Sequence, residues 1–247
     1  MKAYIDDIEY YVPSNSLSNE NLSDINPEWD MDKIFEKTGI RNRFIAGKDQ
    51  TAVDLAVSAA FKLFEKRPEL VKLVDFVILC TQSPDYYLPT SACLIQERLG
   101  LKQTVGAIDV NQGCSGFVYS IGLAKGLIET EQAENVLVIT ADTYSKYINK
   151  KDKSVRTLFG DAAACTLIKA SSSNEEFISK PIYGTNGKGG KHLIVPHGGS
   201  RNPISNKSRE ETRDTSNNVR SNADLFMNGR EIFTFTLTAI PKVFKQI

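Results

Sequence analysis

The chain has 247 residues, of which 41% are apolar and 24% are charged. This length and composition are enough to bury one large or two moderate hydrophobic cores, as in an ordinary soluble globular protein. Thirty basic residues balance thirty acidic ones, so no overall field attracts nucleic acid or a membrane surface. We therefore expect neither nucleic acid nor a membrane as a partner.

The cysteines and the N-terminus indicate a reducing compartment. No C-x-x-C pair occurs, which argues against a disulfide framework or a zinc site. The N-terminus, Met1–Tyr10, is charged and lacks the apolar core of a signal peptide, and no later segment is long enough to span a membrane. We expect a cytoplasmic protein. The four cysteines are Cys80, Cys93, Cys114 and Cys165.

The first quarter of the chain alternates strand and helix signals. Ala3–Val12 is typical of a strand, and Ser18-Asn19-Glu20 of a helix start. Asn26-Pro27 interrupts the chain before a short helix, Met31–Lys37. The spacing of apolar residues predicts a longer helix over Thr51–Lys66, with Thr51 as its cap.

The middle of the chain alternates apolar strands with helices. Val74–Cys80, Asn135–Ala141 and Ala163–Ile168 are continuous apolar runs, as expected for strands covered on both faces. Between these strands lie two segments whose apolar residues have helical spacing, Thr90–Leu99 and Phe117–Ile128. This alternation predicts a right-handed, mostly parallel α/β layer. The polar segment Ser171–Asn174 that follows is the best boundary between two halves.

The segment Asn111–Phe117 has the strongest chemical character in the chain. It joins the strand-like run Thr104–Val110 to a helix, so Cys114 lies where a strand turns into a helix. Unpaired N–H groups at a helix N-terminus favour negative charge, and the thiolate is the nucleophilic form of cysteine. Glycines at 113 and 116 let a substrate carbonyl approach the main chain. The alternative is that Cys114 is a small buried apolar residue.

This cysteine segment resembles the active-site turn of the thiolase superfamily, in particular the ketoacyl-acyl-carrier-protein synthase III branch. Four further stretches match that branch in the same order, and together the matches cover nearly the whole chain. The cysteine segment and the Phe-Gly-Asp-Ala stretch are the specific ones. The four are Lys37–Arg41, Leu88–Cys93, Phe159–Ala164 and Met227–Phe233.

The resemblance implies a thiolase-like layered α-β-α-β-α sandwich made of two similar halves. Residues 1–170 form the N-terminal half that carries the nucleophile, and residues 171–247 begin the C-terminal half. That second part runs through a polar stretch, Gly184–Asn222, into a helix over Asp224–Ile247 that Pro241 is expected to kink or interrupt. The Pro-His-Gln-Ala-Asn and Asn-x-Gly-Asn-Thr motifs of the family are not present. We therefore expect the C-terminal half to be truncated.

The implied function is that of a 3-oxoacyl-acyl-carrier-protein synthase III. Cys114 takes the acyl group from acyl-CoA, and a malonyl-acyl-carrier protein then decarboxylates and condenses with it. The implied partners are acyl-CoA, the acyl carrier protein and a second copy of the chain, joined through strand Asn135–Ala141, with no cofactor or metal. The alternatives are an acyltransferase that uses the same cysteine, or a truncated or non-catalytic thiolase-like scaffold.

The resemblance also implies the substrate-binding residues. Trp29, Lys37 and Arg41 fall in the region that approaches the nucleotide of coenzyme A, although Trp29 lies further upstream of Gly39 than in the best-known members. Lys146 falls at a basic contact position, and Leu88 at the position that closes the partner's acyl pocket. For the two lysines the alternative is a solvated side chain, and for Leu88 it is an ordinary interface or core leucine.

We expect neither histidine to replace the family's catalytic one. His197 follows Val195-Pro196, but Gly198-Gly199 comes next, so we interpret it as a loop residue, and His192 has still less support. Gly187–Gly190 lacks the strand before and the helix after that a phosphate-binding loop needs. We therefore expect slow acylation of Cys114 and no complete condensation cycle by residues 1–247.

Overall fold

A computed structural model describes residues 1–247 as eleven strands and eight α-helices, joined by loops and three short 3₁₀ helices. The strands are β1 Lys2–Tyr11, β2 Asn15–Ser18, β3 Asn42–Ile45, β4 Phe76–Cys80, β5 Gly106–Val110, β6 Asn135–Asp142, β7 Ala162–Ser171, β8 Leu193–Ile194, β9 Thr212–Arg213, β10 Val219–Arg220 and β11 Phe226–Met227. The helices are α1 Asn19–Ile25, α2 Met31–Thr38, α3 Ala52–Lys66, α4 Leu70–Leu73, α5 Ser91–Arg98, α6 Gly116–Glu129, α7 Lys153–Arg156 and α8 Gly229–Phe244. None of these helices has the length and apolarity that crossing a membrane requires.

The contacts divide the chain into two compact units that interleave along the sequence. The first unit comprises Met1–Asn15, Phe44–Thr143 and Asp161–Pro181. The second comprises Ser16–Arg43, Tyr144–Gly160 and Ile182–Ile247. Two internal segments thus group with the C-terminal part. The division into halves at residue 170 stays a prediction.

The first unit is built on a five-stranded sheet with the order β1-β7-β6-β4-β5. β4 runs parallel to β5 and β6, whereas β7 runs antiparallel to both β6 and β1. The sheet is therefore mixed, and the prediction of a mostly parallel layer was wrong. Parallel pairing needs a connection that crosses back over the sheet. The connection from β6 to β7 does not form such a crossover, because Tyr144–Gly160 groups with the second unit, and Ala162 at the start of β7 pairs with Asp142 at the end of β6.

Helices cover both faces of this sheet, as the apolar strand sequences predicted. α3 and α5 pack on one face, against residues such as Leu79 and Leu137. α6 packs on the other face, against their neighbours Ile78 and Val138. Successive side chains of a strand point to opposite faces. β4 and the Val136–Ile139 part of β6 therefore need apolar residues at every position, which is what their sequences provide.

β6 lies inside the sheet, between β4 and β7. Its two edges are both hydrogen-bonded, so it has no free edge for a strand from another chain. The prediction that Asn135–Ala141 joins two copies into one sheet was therefore wrong. The open edges belong to β1 and β5, and β5 is the strand that leads into the Cys114 turn.

The second unit has two small apolar clusters. One contains Leu22, Trp29 and Met31 of the α1–α2 region, and the other contains Ile148, Val155 and Leu225. The second cluster is reinforced by ion pairs, since Arg220 contacts both Asp152 and Asp214.

The last helix is shorter than predicted and is not interrupted. α8 begins at Gly229 rather than at Asp224, because the Asn228 side chain accepts a hydrogen bond from the Glu231 N–H and caps the helix there. The helix continues through Pro241 to Phe244. Pro241 has no N–H to donate to the carbonyl four residues earlier, so it removes one hydrogen bond near the C-terminal end of the helix without ending it. The expected interruption was therefore wrong.

Candidate active site

Cys114 lies in the turn that joins β5 to α6, where the sequence placed it. β5 ends at Val110 and α6 begins at Gly116, and we call residues 112–116 the cysteine turn. Cys114 is exposed to solvent. A side chain in this position is presented to solvent at the C-terminal end of a strand and the N-terminal end of a helix.

The backbone of the cysteine turn leaves donors open beside the thiol. The Gly116 N–H donates to the Gly113 carbonyl at 2.8 Å, which closes the turn, while the Cys114 N–H donates to no protein acceptor. The N-cap residue Ser115 forms no side-chain cap hydrogen bond. Unsatisfied N–H groups at a helix start bind an anion or a developing oxyanion. The Cys114 N–H is therefore available to an oxyanion beside the thiol.

Gly116 is required by packing. A Cβ at this position would lie 2.1 Å from Cys80 Sγ and 3.0 Å from Gln112 Cβ. The start of α6 is therefore pressed against the end of β4 as closely as a glycine allows. The Gly-Cys-Ser-Gly pattern indicated a permissive backbone, but the partner, Cys80, was not visible in the sequence.

A second polar cluster lies at the C-terminal ends of β4 and β6. Asp142 Oδ1 accepts hydrogen bonds from the Gln82 N–H at 2.8 Å, from Ser83 Oγ at 2.9 Å and from Thr81 Oγ1 at 3.1 Å. The Thr143 N–H in turn donates to Ser83 Oγ at 2.8 Å. Burial raises the pKa of Asp142, and these hydrogen bonds act in the opposite direction. The cluster fixes the start of the loop that leads to Leu88.

Leu88 is displayed on the surface of this loop. It is 81% exposed, and its neighbours Tyr86 and Tyr87 are 63% and 87% exposed. Asp85 fixes the base of the loop, because its carboxylate accepts from Thr51 Oγ1 and the Val53 N–H at the start of α3. The interpretation of Leu88 as a core leucine is therefore excluded. An interface or a pocket-closing role stays a prediction.

Trp29 is a core residue of the second unit. It is 6% exposed and packs with Leu22, Met31 and Ile34. A base can stack only on an exposed ring face. The structure therefore contradicts Trp29 as a stacking residue, because its ring is enclosed by the α1–α2 cluster.

Lys37 and Arg41 lie on either side of the end of α2. Gly39 ends this helix with φ +68°, in the left-handed region that glycine adopts most easily, and its N–H donates to the Phe35 carbonyl. Lys37 is exposed in the last turn. The Arg41 guanidinium lies 4.7 Å from the centre of the Phe35 ring. Both cations are therefore held at one helix end in the second unit.

Lys146 is exposed in the 3₁₀ helix Tyr144–Tyr147, also in the second unit. Trp29, Lys37, Arg41 and Lys146 thus belong to the second unit, whereas Cys114 and Leu88 belong to the first. The binding roles of the basic residues stay predictions.

The two histidines hold structural positions, as the sequence predicted for His197. His197 Nδ1 lies 2.8 Å from the fully buried Ser208 Oγ, and its backbone N–H donates to the Asn222 carbonyl. The His192 carbonyl accepts from the Asn228 N–H at the cap of α8. Both residues fix loops of the second unit.

The chain is similar to known enzymes along its length. The family model described as 3-oxoacyl-[acyl-carrier-protein] synthase III matches residues 108–187, which include the cysteine turn. The beta-ketoacyl-[acyl-carrier-protein] synthase III of Caldanaerobacter subterraneus subsp. tengcongensis is 36% identical over 230 residues, covering 92% of this chain and 65% of that protein. The enzyme of the same name from Syntrophomonas wolfei is 33% identical, covering 100% of this chain and 71% of that protein.

A solved structure is more similar still. A 2.1 Å crystal structure of a 3-oxoacyl-(acyl-carrier-protein) synthase III shares 50% sequence identity and a TM-score of 0.97, covering 100% of this chain and 73% of that one. The chain thus spans about two thirds of the length of these relatives and has their thiolase-like α/β fold. It belongs to the beta-ketoacyl-acyl-carrier-protein synthase III family of condensing acyltransferases of fatty-acid biosynthesis.

Proposed function

We propose that this protein acts in fatty-acid biosynthesis as a 3-oxoacyl-acyl-carrier-protein synthase III, with Cys114 as the nucleophile. The Cys114 thiolate attacks the thioester carbonyl of an acyl-CoA, a C–S bond to the cysteine forms, and coenzyme A leaves as the thiolate. A malonyl-acyl-carrier protein then loses CO₂, and its carbanion attacks the acyl carbonyl. That second attack releases the Cys114 thiolate.

The observation that carries this proposal is the exposed Cys114 at the start of α6, next to its own free N–H. When a thioester carbonyl oxygen accepts a hydrogen bond from this N–H, the carbonyl carbon comes within reach of the Cys114 thiol in the same turn. The N–H stabilises the negative charge that develops on the oxygen during the attack. The acylation step therefore uses groups that lie together in the first unit.

We assign the substrate contacts outside the cysteine turn to exposed residues. Lys37, Arg41 and Lys146 are cations suited to the phosphates of coenzyme A or to an acidic carrier protein. Leu88, an exposed apolar residue, is assigned to the acyl chain or to an interface that encloses it. The cytoplasmic location inferred from composition stays part of this proposal.

We also propose a homodimer that forms through the open edge of β5. Ile108 on β5 and Phe117 and Val118 at the start of α6 are exposed apolar residues beside this edge. An unpaired strand edge beside apolar side chains pairs readily with a second copy. This edge replaces the strand Asn135–Ala141 that the sequence suggested.

Acylation by short acyl-CoA tests the function directly. Intact mass spectrometry of the wild-type protein should show one added acyl group, and Cys114→Ser should show none. Cys93→Ser, which removes the other solvent-accessible cysteine, is the matched control and should acylate like the wild type. Equal labelling of wild type and Cys114→Ser would contradict the proposal. The expectation that residues 1–247 do not complete condensation stays a prediction, checked by adding malonyl-acyl-carrier protein to the acylated form.

A further inference from the structure

The thiol of Cys80 touches both flanks of the cysteine turn. Cys80 is the last residue of β4 and is 4% exposed. Its Sγ donates to the Gln112 carbonyl at 3.2 Å, on the N-terminal side of Cys114. On the C-terminal side, Sγ lies against Gly116, so closely that a Cβ there would be 2.1 Å away. One buried side chain therefore fixes the positions of residues 112 and 116 relative to the sheet.

A buried hydroxyl lies beside the same thiol. Ser120, one turn further along α6, is fully buried, and its Oγ makes no well-formed hydrogen bond. The Cys80 thiol is the side-chain group with which this hydroxyl interacts. A buried polar atom without a good partner is costly. The Ser120 hydroxyl thus lies beside the Cys80 thiol, between β4 and α6, without a well-formed hydrogen bond.

The protonation state of Cys80 suits a donor rather than a nucleophile. Burial raises the pKa of the Cys80 thiol, and the negative charge of Asp142 raises it further. Burial is the largest influence on this pKa. The thiol therefore keeps its proton at neutral pH and can donate it to the Gln112 carbonyl.

We propose that Cys80 is a positioning residue for acyl transfer: its thiol holds the cysteine turn so that the Cys114 Sγ and the Cys114 N–H face the same substrate carbonyl. This proposal rests on the proposed role of Cys114 as the nucleophile. Cys80 touches no substrate itself. Without its hydrogen bond to Gln112 and its contact with Gly116, the turn is free to shift relative to β4, and the thiol and the N–H lose their alignment.

Three variants of Cys80 separate alignment from stability. Cys80→Ala removes the donor and the packing atom, Cys80→Val keeps an apolar atom without a donor, and Cys80→Ser keeps a donor. Cys165→Ala is the matched control, because Cys165 is a fully buried cysteine of the same sheet, on β7, in the cluster of the α3 face. Each protein is assayed for single-turnover acylation by acetyl-CoA, for alkylation of Cys114 by iodoacetamide, and for thermal unfolding.

Acylation needs the alignment, whereas alkylation needs only an exposed thiol. We expect Cys80→Ala and Cys80→Val to slow acylation by about 10- to 100-fold, the cost of a small misplacement at a reacting centre. Alkylation of Cys114 should stay close to the wild-type rate in both. Cys80→Ser should restore most of the acylation rate. Cys165→Ala should lower the melting temperature without slowing acylation.

The proposal is overturned if the folded Ala or Val variant acylates at the wild-type rate, if Ser fails to restore the rate, or if Cys165→Ala slows acylation equally. If Cys80→Ala does not fold, the Val and Ser pair decides. Failure of the proposed function looks different. In that case the wild type alkylates at Cys114 but does not acylate at all, and the role of Cys80 falls with it.

Discussion

Gly116→Ala is the substitution whose effect the geometry determines most closely. The new Cβ would lie 2.1 Å from Cys80 Sγ, whereas a normal contact is about 3.5–4.0 Å. The thiol or the helix start must therefore move by roughly 1.4 Å. Rotation of the Cys80 side chain would break its hydrogen bond to Gln112 and needs room that the buried site does not offer. We expect a loss of about 1–3 kcal/mol in the free energy of unfolding, the usual cost of overpacking.

Two further proteins make this test specific. Gly126→Ala in the same helix meets nothing within 4 Å, so it should stabilise the chain by about 0.5–1 kcal/mol through the better helix propensity of alanine. In the double variant Gly116→Ala/Cys80→Ala the Sγ atom is absent, and the nearest remaining atom is Gln112 Cβ at 3.0 Å. The cost of the alanine should fall by about 0.5–3 kcal/mol in that background, as expected for two residues in contact.

Urea unfolding measures the cost of each substitution and the coupling between Gly116 and Cys80. The proteins are the wild type, the double variant and the three single variants Gly116→Ala, Gly126→Ala and Cys80→Ala. The same proteins should show acylation of Cys114 slowed by Gly116→Ala and unaffected by Gly126→Ala. A Gly116→Ala protein as stable as the wild type would contradict the packing argument. So would a penalty of equal size with and without Cys80, because the close approach would then not involve the thiol.

Two other predictions concern the polar cluster and the sheet edge. Burial raises the pKa of Asp142, so its carboxyl group binds a proton more tightly in the folded state than in the unfolded state. The stability of the wild type relative to Asp142→Asn should therefore fall as pH rises from about 3.9 through the raised pKa, and then stay constant. Urea unfolding of both proteins between pH 4 and 8 measures this difference, and a difference independent of pH would contradict it. Ile108→Lys should convert the proposed dimer to a monomer in sedimentation, whereas Ile8→Lys on the opposite edge strand β1 should not; a wild type that is monomeric at micromolar concentration excludes this interface.

The sequence predicted the elements that depend on local signals. Thr51 caps α3 with a capping box, as its position before an apolar helical pattern suggested. Ser18 does the same for α1. The apolar runs of β4 and β6 were recognised as strands covered on both faces. Each of these features is determined by residues within a few positions of one another.

The features that the sequence did not show depend on pairing between distant segments. The direction of β7 follows from a connection that groups with the second unit, so that β7 begins beside the end of β6, and the interior place of β6 follows from the strand order. Arg43 is another example. Its exposed neighbours gave no sign that it would be 2% exposed, with its guanidinium donating to the Thr157 carbonyl and to Asn19. Such contacts span 114 and 24 residues, beyond any periodicity.

The residues of the candidate site also differ in whether their signal is local in the sequence or depends on distant contacts. Cys114 was singled out because its neighbours in sequence, two glycines and a strand-to-helix transition, carry a signal, and because the segment resembles the active-site turn of the synthase III branch. Cys80, Asp142 and Ser120 were not, since each matters only through contact with another strand end or helix turn. The C-terminal ends of β4, β5 and β6 lie at the same end of the sheet. There Cys80 contacts the cysteine turn that follows β5, and Asp142 accepts hydrogen bonds from the loop that follows β4. The proposed nucleophile thus lies in a turn that is contacted by residues that the sequence leaves unmarked, and this is why the variants of Cys80 and Gly116 test the proposed site more severely than removal of Cys114 alone.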